Sequence, residues 1–201
     1  MLSVAATSTS IGADGAALLR LQLAFQHSDA MVLPHFVEKK LLQQLQGMLE
    51  SAEFAPRNLE ILGGQDLAQH DRAGRALNLV LARPELFRWL ERVTACGPIG
   101  EHQGSVMQLH GGQYLDWHDD MNDKRRALAI TICLSDVAYQ GGQFQLRRKL
   151  EPQRVFSHVH ADAGTALVFA TGPTLEHRVT PVVASAPRIV YAGWFLKAAA
   201  R

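Results

Sequence analysis

The feature of this chain that most constrains its fold is a series of short β-rich segments that follow one another without helices between them. Glycine-containing turns such as Gly111-Gly112 and Gly141-Gly142 separate the segments. A series of this kind predicts an antiparallel β-sandwich or barrel. The predicted strands cover residues 105–109, 127–134, 143–146, 154–160, 165–170, 177–183 and 188–195.

The first half of the chain shows helical periodicity instead. Apolar residues recur at helical spacing between Phe36 and Leu49, around Leu77, and again after Pro84. A proline at the first helical position suits the start of such a segment. The sequence therefore predicts a mainly β protein of the α+β class, in which a layer of helices packs against one face of the β-structure.

We expect one folded domain over residues 16–201, since no linker separates the two halves. Helices would support the fold at about residues 30–100, and the β-core would occupy about residues 101–197. Residues 1–15 are rich in Ser, Thr, Ala and Gly and are expected to form a flexible tail.

The composition indicates an ordinary globular protein. The formal net charge is +1, which does not favour a nucleic acid partner or an anionic membrane surface. No apolar stretch is long enough to span a bilayer, and the N-terminus lacks the basic segment of a secretory signal. Cys96 and Cys133 lie far apart without metal-ligand spacing, which favours reduced thiols and a cytoplasmic location.

Four residues in the β-rich half have the chemistry of a metal site. His118 and Asp120 are separated by one residue, and alternate residues of an extended chain project from the same face. His177 would add a second imidazole from a later strand, and two histidines with one carboxylate leave the other coordination positions open, as in non-haem Fe(II) oxygenases. Arg188 lies in an apolar strand-like run, where its guanidinium could bind a carboxylate in a bidentate manner.

The motifs around these residues resemble the prolyl-4-hydroxylase-like branch of the Fe(II)/2-oxoglutarate-dependent dioxygenases. The resemblance extends from about Met107 to Phe195 and implies a double-stranded β-helix, or jelly-roll, core. The segments that carry it are Tyr114 to Asp120, Leu134 to Val137 with Gly141-Gly142, Ala163 to Phe169, His177 to Val182, and Arg188 to Phe195.

The resemblance also implies roles for the site residues. His118, Asp120 and His177 would bind Fe(II) and act in catalysis through the iron, and Arg188 would bind the C5 carboxylate of 2-oxoglutarate. Family enzymes consume O2 and release succinate and CO2 while they hydroxylate a substrate, with ascorbate as a possible reductant. The apolar residues expected to line the cavity are Ile130, Ile132, Leu167 and Phe169.

The chain departs from the family at two tyrosine positions that contact 2-oxoglutarate. Gln108 and Leu109 stand at one of them, and Cys133 at the other. Other groups must therefore supply these hydrogen bonds, and Thr131 and Gln108 are the candidates. Trp194 follows Arg188 by six residues, where the family often has an aromatic residue that lines the cosubstrate pocket.

The expected substrate is a peptide or protein side chain or an amino-acid-like small molecule with an unactivated C–H bond. Basic residues in 121–126 and 139–153 favour an anionic substrate. The DNA-demethylating relatives carry a second arginine six residues after the first, and Trp194 stands there in this chain. A monomer or homodimer is expected, without a membrane or nucleic acid partner.

A second reading is a cupin-like, metal-binding jelly roll that acts as a small-molecule sensor or scaffold without turnover. His158 and His160 form a His-x-His pair that could belong to such a site. We assign both to the strand surface, because no carboxylate and third histidine follow at cupin spacing. Asp119 alternates to the face opposite His118 and is expected to be solvated or structural.

Overall fold

The computed structural model describes residues 2–12, 14–59, 63–160, 162–183 and 186–199. The helices in these ranges are α1 (Gly15–Ser28), α2 (Lys39–Leu49), α3 (Arg72–Leu81) and α4 (Pro84–Thr94). The strands are β1 (Leu2–Val4), β2 (Thr9–Ile11), β3 (Ala30–Leu33), β4 (Phe54–Leu59), β5 (Gly63–Ala68), β6 (Ile99–Leu109), β7 (Leu115–His118), β8 (Arg126–Cys133), β9 (Phe144–Arg148), β10 (Val155–His158), β11 (Ala166–Ala170), β12 (Leu175–Val179) and β13 (Arg188–Lys197).

Strands β3 to β13 form one antiparallel sheet that curls into a nearly closed jelly roll. The strand order is β10-β9-β12-β7-β5-β6-β13-β8-β11-β3, and β4 pairs with β5. Six strands separate β9 from β11 in this order, yet the rings of Phe144 and Phe169 lie 4.7 Å apart. The predicted fold, a jelly roll with a helical layer, is confirmed.

The two faces of the central strands serve different cores because strand residues alternate between them. Tyr191 and Phe195 of β13 face the helices, and Phe195 makes an edge-to-face contact with Phe87 of α4 at 6.0 Å. Arg188 and Trp194 of the same strand face the inside of the jelly roll. The helical layer thus stabilises the outer face of the sheet and leaves the inner face for a cavity.

Asp71 connects the helical layer to the sheet through two hydrogen bonds. Its carboxylate caps α3 by accepting a hydrogen bond from the backbone N–H of Gly74 at 2.6 Å, and it also accepts from the N–H of Val106 in β6 at 2.7 Å. Helix α4 begins at Pro84, as predicted, because a proline costs no hydrogen bond in the first turn.

The first half of the chain contains more β-structure than its periodicity predicts. Strand β3 pairs with β11 at one end of the sheet, and β4 and β5 form a hairpin that joins β6 and β7. Helix α1 was not predicted either. In the described ranges, no helix combines the length and the apolar character that crossing a membrane would require.

The N-terminal segment differs from the flexible tail predicted for residues 1–15. Strands β1 and β2 form a small hairpin, and the side chains of Leu2 and Val4 are buried in the helical core. The backbone N–H of Val4 donates to the carbonyl of Phe36 at 2.7 Å, and Arg83 donates to the carbonyl of Ala5 at 2.9 Å. Two apolar residues at alternate positions are enough to anchor this segment.

Candidate metal centre and cosubstrate pocket

Three potential metal ligands converge on one wall of the jelly roll. Nε2 of His118 lies 3.7 Å from Oδ1 of Asp120, and Nε2 of His177 lies 3.6 Å from Oδ2 of the same carboxylate. The three donor groups all lie within 4.8 Å of one another. Ligands that share one ion at about 2.0–2.2 Å lie roughly 3–4 Å apart, so this cluster matches the size of a single-metal site.

The two histidines come together because β7 and β12 are paired strands. His118 and His177 are directly opposite each other in the antiparallel ladder, and their ring centroids are 4.1 Å apart. Opposite residues of such a pair project from the same face of the sheet. Strand pairing therefore places both imidazoles at one point, as the sequence analysis expects.

Asp120 reaches the same point by a different route from the one predicted. Strand β7 ends at His118, and Asp120 has a left-handed backbone with φ of +58°, so it is not the next same-face residue of an extended strand. Aspartate tolerates this conformation better than most residues do. The turn, rather than strand alternation, brings the carboxylate to the histidines.

Hydrogen bonds with neighbouring groups fix the orientation of His118 and Asp120, the two ligands at the turn after β7. The ring nitrogen Nδ1 of His118 lies 2.7 Å from the carbonyl oxygen of Asp116, so the ring donates there and keeps its Nε2 lone pair for a metal. The indole N–H of Trp194 donates to Oδ2 of Asp120 at 2.8 Å. Arg126 stacks on that indole at 3.8 Å and donates to the backbone carbonyl of Asp120 at 2.8 Å.

His177 is buried against aromatic rings. Phe144 and Phe169 lie 5.7 and 4.8 Å from its ring, and burial together with the adjacent His118 lowers the pKa of His177 to about 3. The imidazole is therefore neutral near pH 7, which is the form that binds a metal.

Arg188 is the most deeply buried charged residue of the cavity. Its side chain is 1% exposed, and its Nε and Nη2 atoms have no hydrogen-bond partner among the described residues. Gly142 makes room for it, since a Cβ there would lie 2.7 Å from Cδ of Arg188. A buried guanidinium without an anion is costly, so the site is suited to a carboxylate ligand.

Strand alternation determines which of the other predicted site residues face the cavity. Thr131 lines the cavity, and its hydroxyl lies 2.6 Å from Nε2 of His160. Gln108 pairs with Ile189 on the face opposite Met107, and its side chain does not line the cavity. Trp194 lines the cavity as expected, but its indole N–H binds Asp120.

The apolar residues expected to line the cavity divide between two cores. Ile130 and Ile132 pack in the core beneath the helices, where Ile130 also lines the cavity, whereas Leu167 and Phe169 pack inside the jelly roll. His160, which was assigned to the strand surface, is 1% exposed. Asp119 points away from the ligand cluster and pairs with Lys149 at 2.7 Å, which lowers the pKa of its carboxyl group.

Two further polar residues line the cavity. Gln65 of β5, which was not predicted, is buried with its Oε1 unpartnered, and Arg126, one of the basic residues of 121–126, has a buried Nε without a partner among the described residues. The cavity has a volume of about 450 Å³ and extends from the exposed residues Arg57 and Asn122 to the buried Arg188. Only the position of Arg126 beside the predicted ligand segment could have indicated its role.

The fold and the site combine a jelly roll with a candidate metal site of two histidines and one carboxylate. Residues 103–196 match the family model described as the 2OG-Fe(II) oxygenase superfamily. The matched segment contains the three potential metal ligands and Arg188. The match favours an enzyme over the cupin-like sensor or scaffold.

Several solved structures share the fold at low sequence identity. A Pseudomonas putida prolyl-4-hydroxylase is 18% identical, with a TM-score of 0.70 over 90% of this chain and 99% of that one. A Trichoplax adhaerens prolyl hydroxylase in complex with a hypoxia-inducible factor peptide fragment is 16% identical, with a TM-score of 0.67 over 96% and 95%. The non-haem α-ketoglutarate-dependent epimerase SnoN from nogalamycin biosynthesis is 15% identical, with a TM-score of 0.68 over 92% and 82%. No curated protein sequence matches the chain significantly.

The cofactors of the superfamily are Fe(II), 2-oxoglutarate and O2. The residues present fit these groups. Two imidazoles and one carboxylate form a donor set for Fe(II), and the unpartnered nitrogens of Arg188 offer a binding site for a carboxylate in the same cavity.

Proposed function

We propose that the protein hydroxylates an unactivated C–H bond of an amino-acid side chain, presented by a peptide, a protein or an amino-acid-like small molecule. His118, Asp120 and His177 would hold Fe(II), and Arg188 would bind a carboxylate of 2-oxoglutarate. The observation that carries the proposal is the buried, unpartnered guanidinium of Arg188 in the cavity that the ligand cluster also lines. When bound, iron and 2-oxoglutarate supply the activation of O2, with succinate and CO2 as by-products.

The protein's own residues would position these groups and exclude water. Asp116 holds His118 in the ligating tautomer, and Trp194 orients the carboxylate of Asp120. Phe144 and Phe169 shield His177 from solvent. A dry interior strengthens the attraction between Arg188 and a carboxylate, and it limits side reactions.

The open end of the cavity favours a substrate with a negative group. Arg57 is exposed there, and no carboxylate of the described residues lies within 4.0 Å of it. Arg126 has a buried, unpartnered Nε beside the ligand cluster. A substrate carboxylate near these two arginines would direct an adjacent side chain toward the metal position. The Trichoplax enzyme binds a peptide, and SnoN belongs to the biosynthesis of a small molecule. These relatives support either a peptide or a small-molecule substrate.

We also propose that the protein acts in the cytoplasm as a monomer or homodimer. Both cysteines are free thiols, and Cys133 is buried, which suits a reducing compartment. Size-exclusion chromatography with light scattering tests the oligomeric state, and a larger assembly would contradict it.

The substrate can be identified by turnover. The full-length protein with Fe(II), 2-oxoglutarate, ascorbate and air is incubated with pools of peptides and free amino acids, and each acid is paired with its amide. The expected result is succinate formation above the substrate-free rate, a mass gain of one oxygen, and a preference for the acid over the amide. Asp120→Ala should abolish the signal. A substrate that is consumed without gaining oxygen would contradict hydroxylation.

A further inference from the structure

His160 lies directly behind the wall of the cavity, although the proposed chemistry gives it no role. Its Nε2 atom is 2.6 Å from the hydroxyl oxygen of Thr131, and its Nδ1 atom has no partner among the described residues. The hydroxyl of Tyr139 donates to the backbone carbonyl of His160 at 2.7 Å. The imidazole is thus fixed in place with a single polar contact.

This contact lies in the neighbourhood of Arg188. Thr131 is on β8, where it pairs with Ala192 of β13, and its side chain lines the same cavity as Arg188. Burial, and then the positive charge of Arg188, hold the pKa of His160 well below its usual value. The ring therefore carries one proton near pH 7, and the direction of the Thr131 hydrogen bond depends on which nitrogen holds it.

The surroundings favour the tautomer with the proton on Nε2. With the proton on Nδ1, a buried N–H group would have no acceptor among the described residues, and buried N–H groups without partners are rare. With the proton on Nε2, the ring donates to the oxygen of Thr131, and only a lone pair remains unpartnered. The hydroxyl hydrogen of Thr131 is then free to point into the cavity.

A bound dicarboxylate needs such a donor. A carboxylate offers about four acceptor positions, and the free nitrogens of Arg188 fill two of them. Tyr139 lies close to Arg188, but its hydroxyl donates to the backbone carbonyl of His160. Gln65 lies two strands from β13, whereas Thr131 lies on the adjacent strand.

We propose that His160 is a positioning residue that donates from Nε2 to Thr131 and thereby directs the Thr131 hydroxyl hydrogen to the bound cosubstrate. The inference rests on the proposed binding of 2-oxoglutarate at Arg188. The proposed hydrogen bond makes Thr131 and His160 one functional unit. The sequence alone does not indicate that these two residues act together.

Binding of 2-oxoglutarate to the anaerobic Fe(II) protein, followed by its visible charge-transfer band, tests this unit. Thr131→Val keeps the side-chain shape and should weaken binding about tenfold, as expected for a lost hydrogen bond to a charged group. His160→Phe should have a similar effect, and the double variant should be no weaker than either single variant. His160→Gln, whose amide can still donate, should restore most of the affinity. Iron affinity should stay near normal in all of them.

The tautomer of the wild-type ring gives a second readout that needs neither turnover nor cosubstrate. The ¹⁵N chemical shifts of His160, in full-length protein with diamagnetic Zn(II) in the iron site, should show the proton on Nε2. A proton on Nδ1, or normal affinity of Thr131→Val, would overturn the proposal. If Arg188→Ala also leaves 2-oxoglutarate affinity unchanged, the proposed function itself fails. If only Arg188→Ala weakens binding, the failure is confined to the role of His160 and Thr131.

Discussion

The indole N–H of Trp194 donates a 2.8 Å hydrogen bond to Oδ2 of Asp120, so a residue of β13 holds the acidic ligand of the cluster. Asp120 itself follows the end of β7 in a left-handed turn. A short turn alone would leave the carboxylate several orientations. The contact with Trp194, together with Arg126 at 3.5 Å from Oδ1, favours the orientation that faces His118 and His177.

Trp194→Phe should lower Fe(II) affinity about tenfold, because hydrogen bonds to a metal ligand typically contribute tenfold to hundredfold in affinity. Competition with a chelator measures the loss. Trp117→Phe is the matched control, since Trp117 stacks between Arg147 and Arg178 and not on the carboxylate. An equal loss of iron in both variants would contradict the role of the hydrogen bond.

The adjacent aspartates should behave differently when each is replaced by alanine. Asp120→Ala should abolish stable Fe(II) binding, because it removes the only carboxylate of the described ligand cluster. Asp119→Ala should bind iron almost as the wild type does, since Asp119 pairs with Lys149 instead. Metal content after desalting measures both. Loss of iron in Asp119→Ala but not in Asp120→Ala would reverse the assignment.

The ligand residues could be predicted from the sequence because their order and spacing carry the information. His118 lies on β7, a strand that was not predicted, and the structure pairs it directly with His177 of β12. The geometry of Asp120 could not be predicted, since it depends on a positive φ that no spacing rule indicates. The identity of the ligand residues was therefore predictable, whereas the backbone conformation of Asp120 was not.

Burial on both faces explains why the cavity lining was predicted less well. Strand β8 is almost continuously buried, so its pattern does not show whether Thr131 or Ile130 faces the interior. The same uncertainty applies to β6, where Met107, and not its neighbour Gln108, lines the cavity. The burial of His160 depends on packing beyond the end of the short strand β10, which periodicity cannot indicate.

Replacement of Arg188 should separate cosubstrate binding from iron binding. Arg188→Met should raise the dissociation constant for 2-oxoglutarate roughly hundredfold and leave Fe(II) affinity near normal, because it removes a buried charged contact remote from the ligands. Arg178→Met is the control, since Arg178 stacks on Trp117.

The same variant makes a thermal prediction. An unpartnered buried charge is destabilising, so Arg188→Met should melt at a higher temperature than the wild type when 2-oxoglutarate is absent. Added 2-oxoglutarate should stabilise the wild type and not the variant. Equal stabilisation of both proteins by 2-oxoglutarate would place its binding site elsewhere.

His102 should make stability depend on pH. Burial lowers the pKa of His102 to about 3, and its Nε2 atom lies 2.6 Å from the hydroxyl of Tyr191. Below pH 6.5 the unfolded chain binds a proton that the folded protein does not, so stability falls as the pH drops from 6.5 toward 3. At pH 5 this single group should cost about 2 kcal/mol.

Urea unfolding of His102→Gln checks this value. The variant should lose about 2 kcal/mol less than the wild type between pH 7.5 and pH 5. His27→Gln, on the exposed surface of α1, should keep the wild-type pH profile. If His102→Gln loses as much stability as the wild type, the histidine is not held neutral in the folded protein.

The visible spectrum of the anaerobic Fe(II) protein upon addition of 2-oxoglutarate tests the central claim most directly. If His118, Asp120 and His177 bind the iron and Arg188 holds the cosubstrate in the same cavity, a weak metal-to-ligand charge-transfer band should appear and saturate. The band should be absent in Asp120→Ala and should require far more 2-oxoglutarate in Arg188→Met. Tightly bound iron that gives no band at saturating 2-oxoglutarate would contradict the account.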